Sequence, residues 1–397
     1  MGADSSNVYT EASQIVDATI SKLGKKIFLG MPIAVGKPTI ILNEFYRRAK
    51  EDPKIELTIA SALALEKPKW KSDLERRMLE PIVSRLFPDY PDPVYLEDVR
   101  RGEFPDNVEL RDFFLTPGAF IGNRPVQQDY TSSNFTHVAR DLIELGINSA
   151  AVMVGKKDFG GKTRYSVGTN GDACADMMLG LEEIRRNGAN ISFISQVNIN
   201  MPFMFGTVEA DQPFFDCILD NPKNYHQLFG PPHELVSVAD YFIGLNASTL
   251  VVDDGTIQIG IGSLGDAISY ALRMRHQNNP LYKKILSETG ISVNFSEFIE
   301  KLGGTGPFEK GVYGCTELLT EGFIKLIEAD VIKKKVYDNV GIQRLVNEGK
   351  IRDGKVTRAA LEALLAERAV CHDLLEEDFN TLRKFGIFKE NLKFENG

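Results

Sequence analysis

A glycine-rich turn between a strand pattern and a helix pattern is the first stretch that could do chemistry. The segment TIQIGIGSLGDAISYALRMR begins at Thr256. Alternating isoleucines predict a half-buried strand, and apolar residues at helical spacing predict an amphipathic helix capped by Asp266. Gly260, Gly262 and Gly265 allow the backbone to turn and to approach a ligand closely. Because the amides of a helix N-terminus attract anions, this turn is a candidate anion-binding site.

Glu317 is the second candidate, because it lies at the predicted start of another helix, directly after a glycine-containing turn. The helix dipole favours an acidic residue in the first turn by about 0.3–1 kcal/mol, and spacing alone favours that structural role. The same position suits a carboxylate nucleophile, since a helix terminus and exposed amides keep the carboxylate ionised. The residues by themselves leave both roles open.

Polar side chains also follow a predicted buried strand in the first half of the chain. The segment ISFISQVNINMPFMFG begins at Ile191 and changes from an apolar run to a polar loop broken by proline. Open α/β sheets bind ligands at the carboxyl ends of their strands. We therefore predict that Gln196, Asn198 and Asn200 line a substrate site.

Strand and helix patterns alternate along most of the sequence, which predicts two tandem open α/β domains with mainly parallel sheets. A stretch rich in Pro, Gly, Asn and His ends near Pro231, and we place the domains at residues 1–230 and 231–397. Residues 278–310 are polar and flanked by glycine, and they predict a mobile flap. Residues 336–397 predict a helical tail.

Composition limits the classes of function. The chain has 397 residues, of which 43% are hydrophobic and 25% charged, as in packed globular proteins. Its formal net charge of −9 argues against a nucleic-acid partner. The sequence has neither an apolar run long enough to span a membrane nor the pattern of a secretory signal, so we expect a cytoplasmic protein without a membrane partner. Its four cysteines and five histidines lack metal-ligand spacing, so we expect no metal site.

Two segments of the chain partly match nucleotide-binding motifs. Gly36-Lys37 resembles the end of a P-loop, but five residues separate Gly30 from Gly36 where the motif has four, and Pro38 replaces the Mg²⁺-binding Ser or Thr. The letters GIGSLG match the dinucleotide fingerprint G-x-G-x-x-G, which also needs a second strand ending in an acidic residue. No strand pattern precedes Glu288 in the segment that follows. An NAD(P)-binding oxidoreductase is therefore the alternative function.

With these stretches together, the chain resembles the class I coenzyme A transferases, in particular the acetyl-CoA hydrolase/transferase and 4-hydroxybutyrate CoA-transferase branch. The resemblance covers about three quarters of the chain. It runs through LGMPIAVGKP, YTSSNFTHVARDL, YSVGTNGD, QVNINMPFMFG, ADYFIGLNASTLVVDDGTIQIGIGSLGDA and GCTELLTEG.

The resemblance assigns roles to particular residues. The family's catalytic glutamate lies in a segment like T-E-hydrophobic-x-(S/T)-(D/E)-G, and Glu317 is the residue that matches it. The family's partner loop looks like Q-hydrophobic-G-I-G, which here is Gln258 to Gly262. The resemblance implies that CoA and the oxyanion bind at Gly260, Gly262, Ser263 and Gly265.

The implied reaction is CoA transfer between an acyl-CoA and a small carboxylate, or hydrolysis of a short acyl-CoA, with coenzyme A as substrate and no other cofactor. The family's later section, with a G-G-Q turn that helps to form the CoA site, is absent from this sequence. The second domain is therefore expected to be incomplete, with a second subunit supplying the rest in a homo- or hetero-oligomer. A non-catalytic subunit or inactive fragment remains a further alternative.

Overall fold

A computed structural model describes residues 7–171, 173–230, 234–316, 318–351, 357–371, 373–384, 386–389 and 391–395. The chain divides into two compact units, Met1–Pro231 and Pro232–Gly397. The domain boundary predicted near Pro231 falls on a residue outside the described ones. Each unit is built around its own buried apolar clusters.

The first unit is organised around a large, mainly parallel sheet. Its strands are β1 Val8–Tyr9, β2 Lys26–Ile33, β3 Glu56–Ala62, β4 Val108–Leu110, β5 Ser149–Phe159, β6 Lys162–Ser166, β7 Ser192–Val197, β8 Glu209–Asp211 and β9 Cys217–Leu219. The parallel strands follow the order β1-β9-β7-β5-β2-β3-β4. Strand β6 pairs in antiparallel fashion with β5 and β8. The α/β class with a mainly parallel sheet is thus confirmed.

Helices cover both faces of this sheet, which explains why its central strands are apolar on both sides. The helices are α1 Ala12–Leu23, α2 Thr39–Glu51, α3 Asp73–Leu86, α4 Tyr95–Arg101, α5 Arg124–Gln128, α6 Val138–Glu144 and α7 Ala173–Arg186. Leu29 and Ile59 pack on one face with residues of α1, α2 and α4. Val152 and Phe193 pack on the other face with residues of α6 and α7.

The second unit is mainly helical, with a two-stranded parallel sheet among its described residues. The strands are β10 Thr256–Gln258 and β11 Tyr313–Cys315. The helices are α8 Val238–Thr249, α9 Ser263–Gln277, α10 Asn279–Glu288, α11 Ile291–Asn294, α12 Ser296–Leu302, α13 Glu321–Glu328, α14 Val340–Asn347, α15 Arg358–Ala366 and α16 Glu376–Lys384. In the predicted helical tail, Leu345, Leu364 and Leu382 form a small cluster of their own.

The segment for which we predict a flap, residues 278–310, contains the three helices α10 to α12. Tyr282 and Leu286 are buried there. The guanidinium of Arg275 on α9 donates a hydrogen bond of 2.7 Å to the carbonyl oxygen of Gly306. The polar and glycine residues at the ends of this segment concealed its helical content, and its mobility stays a prediction.

Candidate functional site

The strand pair β10–β11 brings the two predicted catalytic stretches to one edge of the second unit. Gln258 pairs with Cys315 in parallel register. The segments that follow two parallel strands leave the sheet at the same edge, so the loop after Gln258 and the segment after Cys315 begin side by side. Ile257 and Ile259 hold this edge in place because both are buried against Phe323 of α13 and its neighbours.

The loop after β10 has the predicted strand–turn–helix form. Gly260 and Gly262 are exposed, and α9 begins at Ser263 with Gly262 as its N-cap. The φ angle of Gly262 is 117°, a backbone conformation that favours glycine. The prediction that Asp266 caps the helix is wrong, because α9 begins three residues earlier and Asp266 lies in its first turn. The N-terminus of α9 thus lies at an exposed loop, and the side chain of Asp240 on α8 also contacts Ser263 there.

Gly265 fixes the shape of this loop. It is buried in the first turn of α9, directly beneath the loop. A Cβ atom on Gly265 would collide with the carbonyl oxygen of Gly260, whereas a Cβ atom on Gly260 would have no neighbour within 4 Å. The absence of a side chain at residue 265 therefore allows the loop to fold back onto the helix.

Glu317 lies outside the described residues. Only the positions of the neighbouring residues bear on its predicted role. The hydroxyl of Thr316 lies 3.2 Å from the carbonyl oxygen of Ile259 and 2.6 Å from that of Leu318. The residues on either side of position 317 are thus linked to the glycine loop. The helix predicted to begin at Glu317 instead begins at Glu321, where the Thr320 side chain accepts a hydrogen bond from the amide of Phe323.

Thr316 is a site residue to which the sequence analysis assigns no role. It is the threonine that begins the T-E motif of the resemblance, directly before the candidate glutamate. Its contact with Ile259 spans 57 positions of the chain, so no local pattern predicts it. Thr316 connects the two segments that the resemblance treats as separate motifs.

The predicted substrate-lining residues belong to the first unit, at the carboxyl end of β7. Gln196 and Asn198 are fully buried, and Asn200 is exposed. The side-chain amides of Asn198 and Asn200 donate to the carbonyl oxygen of His226 at 3.0 and 2.9 Å, so these two residues shape the loop. The side-chain amide of Gln196 has no hydrogen-bond partner among the described residues. A buried amide of this kind is costly unless water or a ligand binds to it.

His226 adds a buried ring beside these amides. Its side chain is 3% exposed, and burial lowers the pKa of the imidazole. The neutral ring stacks edge-on against Tyr90, with 5.8 Å between the ring centroids. A buried aromatic pair therefore lies beside the polar end of β7.

The part of the chain that the structure describes has neither a cluster of metal ligands nor a membrane-spanning helix. No group of three or more His, Cys, Asp or Glu side chains could hold a metal ion there. None of its helices is both long and apolar enough to cross a membrane. A cavity of about 50 Å³ lies in the first unit, and apolar side chains such as Val138, Leu142, Met177 and Phe193 line it.

Comparison with solved structures defines the class of fold. The chain has an α/β fold similar to that of a solved structure named RipA. RipA from Yersinia pestis superposes on it with a TM-score of 0.52 at 18% sequence identity, over 82% of this chain and 59% of RipA. The 4-hydroxybutyrate CoA-transferase from Porphyromonas gingivalis gives a TM-score of 0.44 at 16% identity, over 82% of this chain and 57% of that enzyme. The second score is too low to support a conclusion.

These likenesses concern the fold alone. The chain spans less than two thirds of the length of either protein. No protein-family model matches the sequence. No curated protein matches it either.

Proposed function

We propose that the chain takes part in CoA chemistry, transferring CoA from an acyl-CoA to a small carboxylate or hydrolysing a short acyl-CoA, with Glu317 as the nucleophile. The observation that supports this best is the contact between Thr316 and Ile259, which links the residues beside position 317 to the glycine loop. A nucleophilic carboxylate and an anion-stabilising loop are the two parts that acyl transfer requires.

The transfer proceeds through covalent intermediates. The Glu317 carboxylate attacks the thioester carbonyl and expels the CoA thiolate, which leaves an acyl-glutamyl anhydride. The thiolate then attacks the glutamyl carbonyl, releases the first carboxylate and forms a glutamyl-CoA thioester. An acceptor carboxylate repeats these steps in reverse to give a new acyl-CoA. If water attacks the glutamyl-CoA thioester instead, the products are free CoA and regenerated Glu317.

The glycine loop would stabilise the tetrahedral intermediates. The proposed donors are the backbone amides of Gly260, Gly262, Ser263 and Gly265, at the N-terminus of α9 and in the exposed loop before it. A preorganised oxyanion donor contributes about 3 kcal/mol to the stability of a transition state. Within the first unit, Gln196, Asn198 and Asn200 are proposed to line a substrate site, which would give the unpartnered amide of Gln196 a binding role.

We further propose that another polypeptide, a second copy or a different subunit, completes the second unit. A parallel pair such as β10–β11 is marginal alone, because parallel sheets are normally covered on both faces and contain more strands. Thr256 and Gln258 of β10 are exposed. The reaction is proposed to take place in the cytoplasm.

Ligand binding separates this proposal from the dehydrogenase alternative. We expect calorimetry to detect micromolar binding of CoA and no binding of NAD(H) or NADP(H) at the same concentrations. The physical reason is that helix α10 follows α9 directly, where a dinucleotide-binding fold has a second strand with a ribose-binding carboxylate. Binding of NAD(H) without binding of CoA, with or without a co-purifying polypeptide, would favour the oxidoreductase.

A further inference from the structure

Helix α3, Asp73–Leu86, carries a stripe of apolar side chains on the surface of the first unit. Four of its apolar residues recur at intervals of four positions and therefore lie along one side of the helix. They are Leu74, Met78, Ile82 and Leu86, and their exposed fractions are 64%, 68%, 54% and 46%. The apolar side of an amphipathic helix normally faces a core. In α3 this side faces away from the rest of the unit.

The helix has few other contacts that stabilise it. Val83 is the one buried residue among its 14 described residues. Pro81 lies inside the helix and cannot donate a backbone hydrogen bond to the carbonyl oxygen of Arg77, which weakens the middle of α3. A helix of this length owes most of its stability to packing of its apolar side. A partner that covers the stripe would therefore stabilise α3.

The charges on α3 are balanced. The acidic residues are Asp73, Glu75 and Glu80, and the basic residues are Arg76, Arg77 and Arg85. Ion pairs within the helix join Arg76 to Asp73 and Glu80 at 2.8 and 2.7 Å, and Arg77 to Asp73 at 3.2 Å. Glu75 and Arg85 form no ion pair among the described residues. The Glu75 carboxylate accepts a hydrogen bond of 2.6 Å from the backbone amide of Lys71.

The stripe and the two remaining charges are arranged symmetrically about residue 80. Leu74 and Leu86 are equally distant from this position in the sequence, and so are Met78 with Ile82 and Glu75 with Arg85. At about 100° of rotation per residue, Glu75 and Arg85 lie within the arc that the stripe covers. In an antiparallel pair of identical helices with a twofold axis at residue 80, residues equally distant from the axis lie opposite one another.

We propose that this stripe is an interface at which two copies of the chain associate, with their α3 helices antiparallel about a twofold axis near residue 80. Leu74 of each copy faces Leu86 of the other, and Met78 faces Ile82. Glu75 of each copy forms an ion pair with Arg85 of the other. Rows of residues four positions apart are the ridges by which helices most often pack.

The size of the interface sets the expected affinity. A helix of 14 residues is about 21 Å long, so the contact is smaller than the interface of a tight dimer. We therefore expect a dissociation constant of about 1–100 μM.

A second copy fits this surface better than an anionic membrane does. Helices that bind anionic lipid carry an excess of Lys and Arg, whereas the charges of α3 cancel. Glu75 also lies on the apolar side, where an anionic lipid surface would repel it. Across the twofold axis the same carboxylate meets a guanidinium.

The first test is Ile82→Lys, which places a charge within the stripe. Because the side chain of Ile82 is 54% exposed, the variant should fold as the wild type does, which circular dichroism checks. Sedimentation velocity should show a concentration-dependent dimer in the wild type, and the dissociation constant of the variant should be about 30-fold higher or more. Amide hydrogen exchange at residues 73–86 should become slower as the wild-type concentration rises, and should not depend on concentration in the variant.

Leu179→Lys is the matched control. Leu179 is an exposed apolar residue of α7 in the same unit, and its side chain is 68% exposed. We expect this variant to associate as the wild type does and to show the same concentration-dependent exchange in α3.

Two charge reversals test the antiparallel register. Arg85→Glu places two glutamates opposite each other, and Glu75→Arg places two arginines opposite each other. Each variant alone should associate about fivefold more weakly than the wild type, or weaker still, at low ionic strength. In an equimolar mixture of the two variants every glutamate faces an arginine again, so mixed dimers should form about as tightly as those of the wild type.

The outcomes decide between occupants of the stripe. A wild type that stays monomeric at about 100 μM, with exchange in α3 independent of concentration, would overturn the proposal. A dimer that Ile82→Lys leaves unchanged would also overturn it, because its interface would lie elsewhere. Failure of the mixture to restore association would show that the antiparallel pairing is wrong. Binding of the monomer to phosphatidylserine vesicles that Ile82→Lys abolishes would make lipid the partner instead. None of these measurements requires CoA transfer, so this proposal and the proposed function can fail separately.

Discussion

Glu317→Gln is expected to reduce CoA transfer by about 10³-fold or more, because the neutral amide cannot attack a thioester and cannot form an anhydride. The free energy of unfolding should stay within about 0.5 kcal/mol of the wild-type value, because glutamine has nearly the same size and shape as glutamate. Initial rates of CoA exchange between acetyl-CoA and acetate measure the first effect, and denaturant unfolding measures the second.

Glu321→Gln is the matched control for this variant. Glu321 is the same residue type four positions later, in the first turn of α13. Glu321 therefore occupies the first-turn position, favoured by the helix dipole, that the sequence predicts for Glu317. We expect Glu321→Gln to change the rate less than about threefold. A Glu317→Gln variant with full activity would remove Glu317 from the reaction.

Gly265→Ala is expected to lower kcat/KM by about 100-fold, because its methyl group would collide with the carbonyl oxygen of Gly260 and push the loop out of position. Overpacking of this kind also destabilises a protein by about 1–3 kcal/mol, so the second unit should unfold more readily. Steady-state kinetics on the folded protein, with thermal unfolding measured in parallel, separates the two effects.

Gly260→Ala tests whether the effect is specific to the close contact. A methyl group at residue 260 would have no neighbour within 4 Å. The φ angle of Gly260 lies outside the left-handed region, so alanine can adopt it. We expect this control to keep most of the activity, because the backbone amide is unchanged. Equal loss of activity in both variants would show that the loop tolerates no side chain at all, and normal activity in Gly265→Ala would contradict the role of the loop.

The sequence allowed the main features of the fold to be predicted because they depend on local periodicity. Alternating isoleucines, glycines and helical spacing predicted β10, its loop and α9 in that order. The alternation of strand and helix patterns predicted the mainly parallel sheet of the first unit. Both predictions rest on apolar patterns within the individual segments.

Features that depend on distant contacts could not be predicted in this way. The start of α13 at Glu321 is set by the Thr320 cap, while the helix dipole alone suggested a start at Glu317. Lys37 was considered only as part of a P-loop, because its bonds to Ser61 and Ala62 bridge 24 and 25 positions of the chain. The helices within residues 278–310 were missed because the segment is polar and is flanked by glycine residues.

Mass spectrometry of the chain after incubation with acetyl-CoA and acetate tests the central claim most directly. Hydroxylamine converts a glutamyl-CoA thioester to a hydroxamate, and borohydride reduces it to an alcohol, so either reagent marks the reacting carboxylate. We predict modification at Glu317 in the wild type, alone or together with a co-purifying polypeptide, and none at that position in Glu317→Gln. Absence of modification in both mixtures, with CoA binding also undetectable, would contradict the account and leave a non-catalytic subunit as the remaining function.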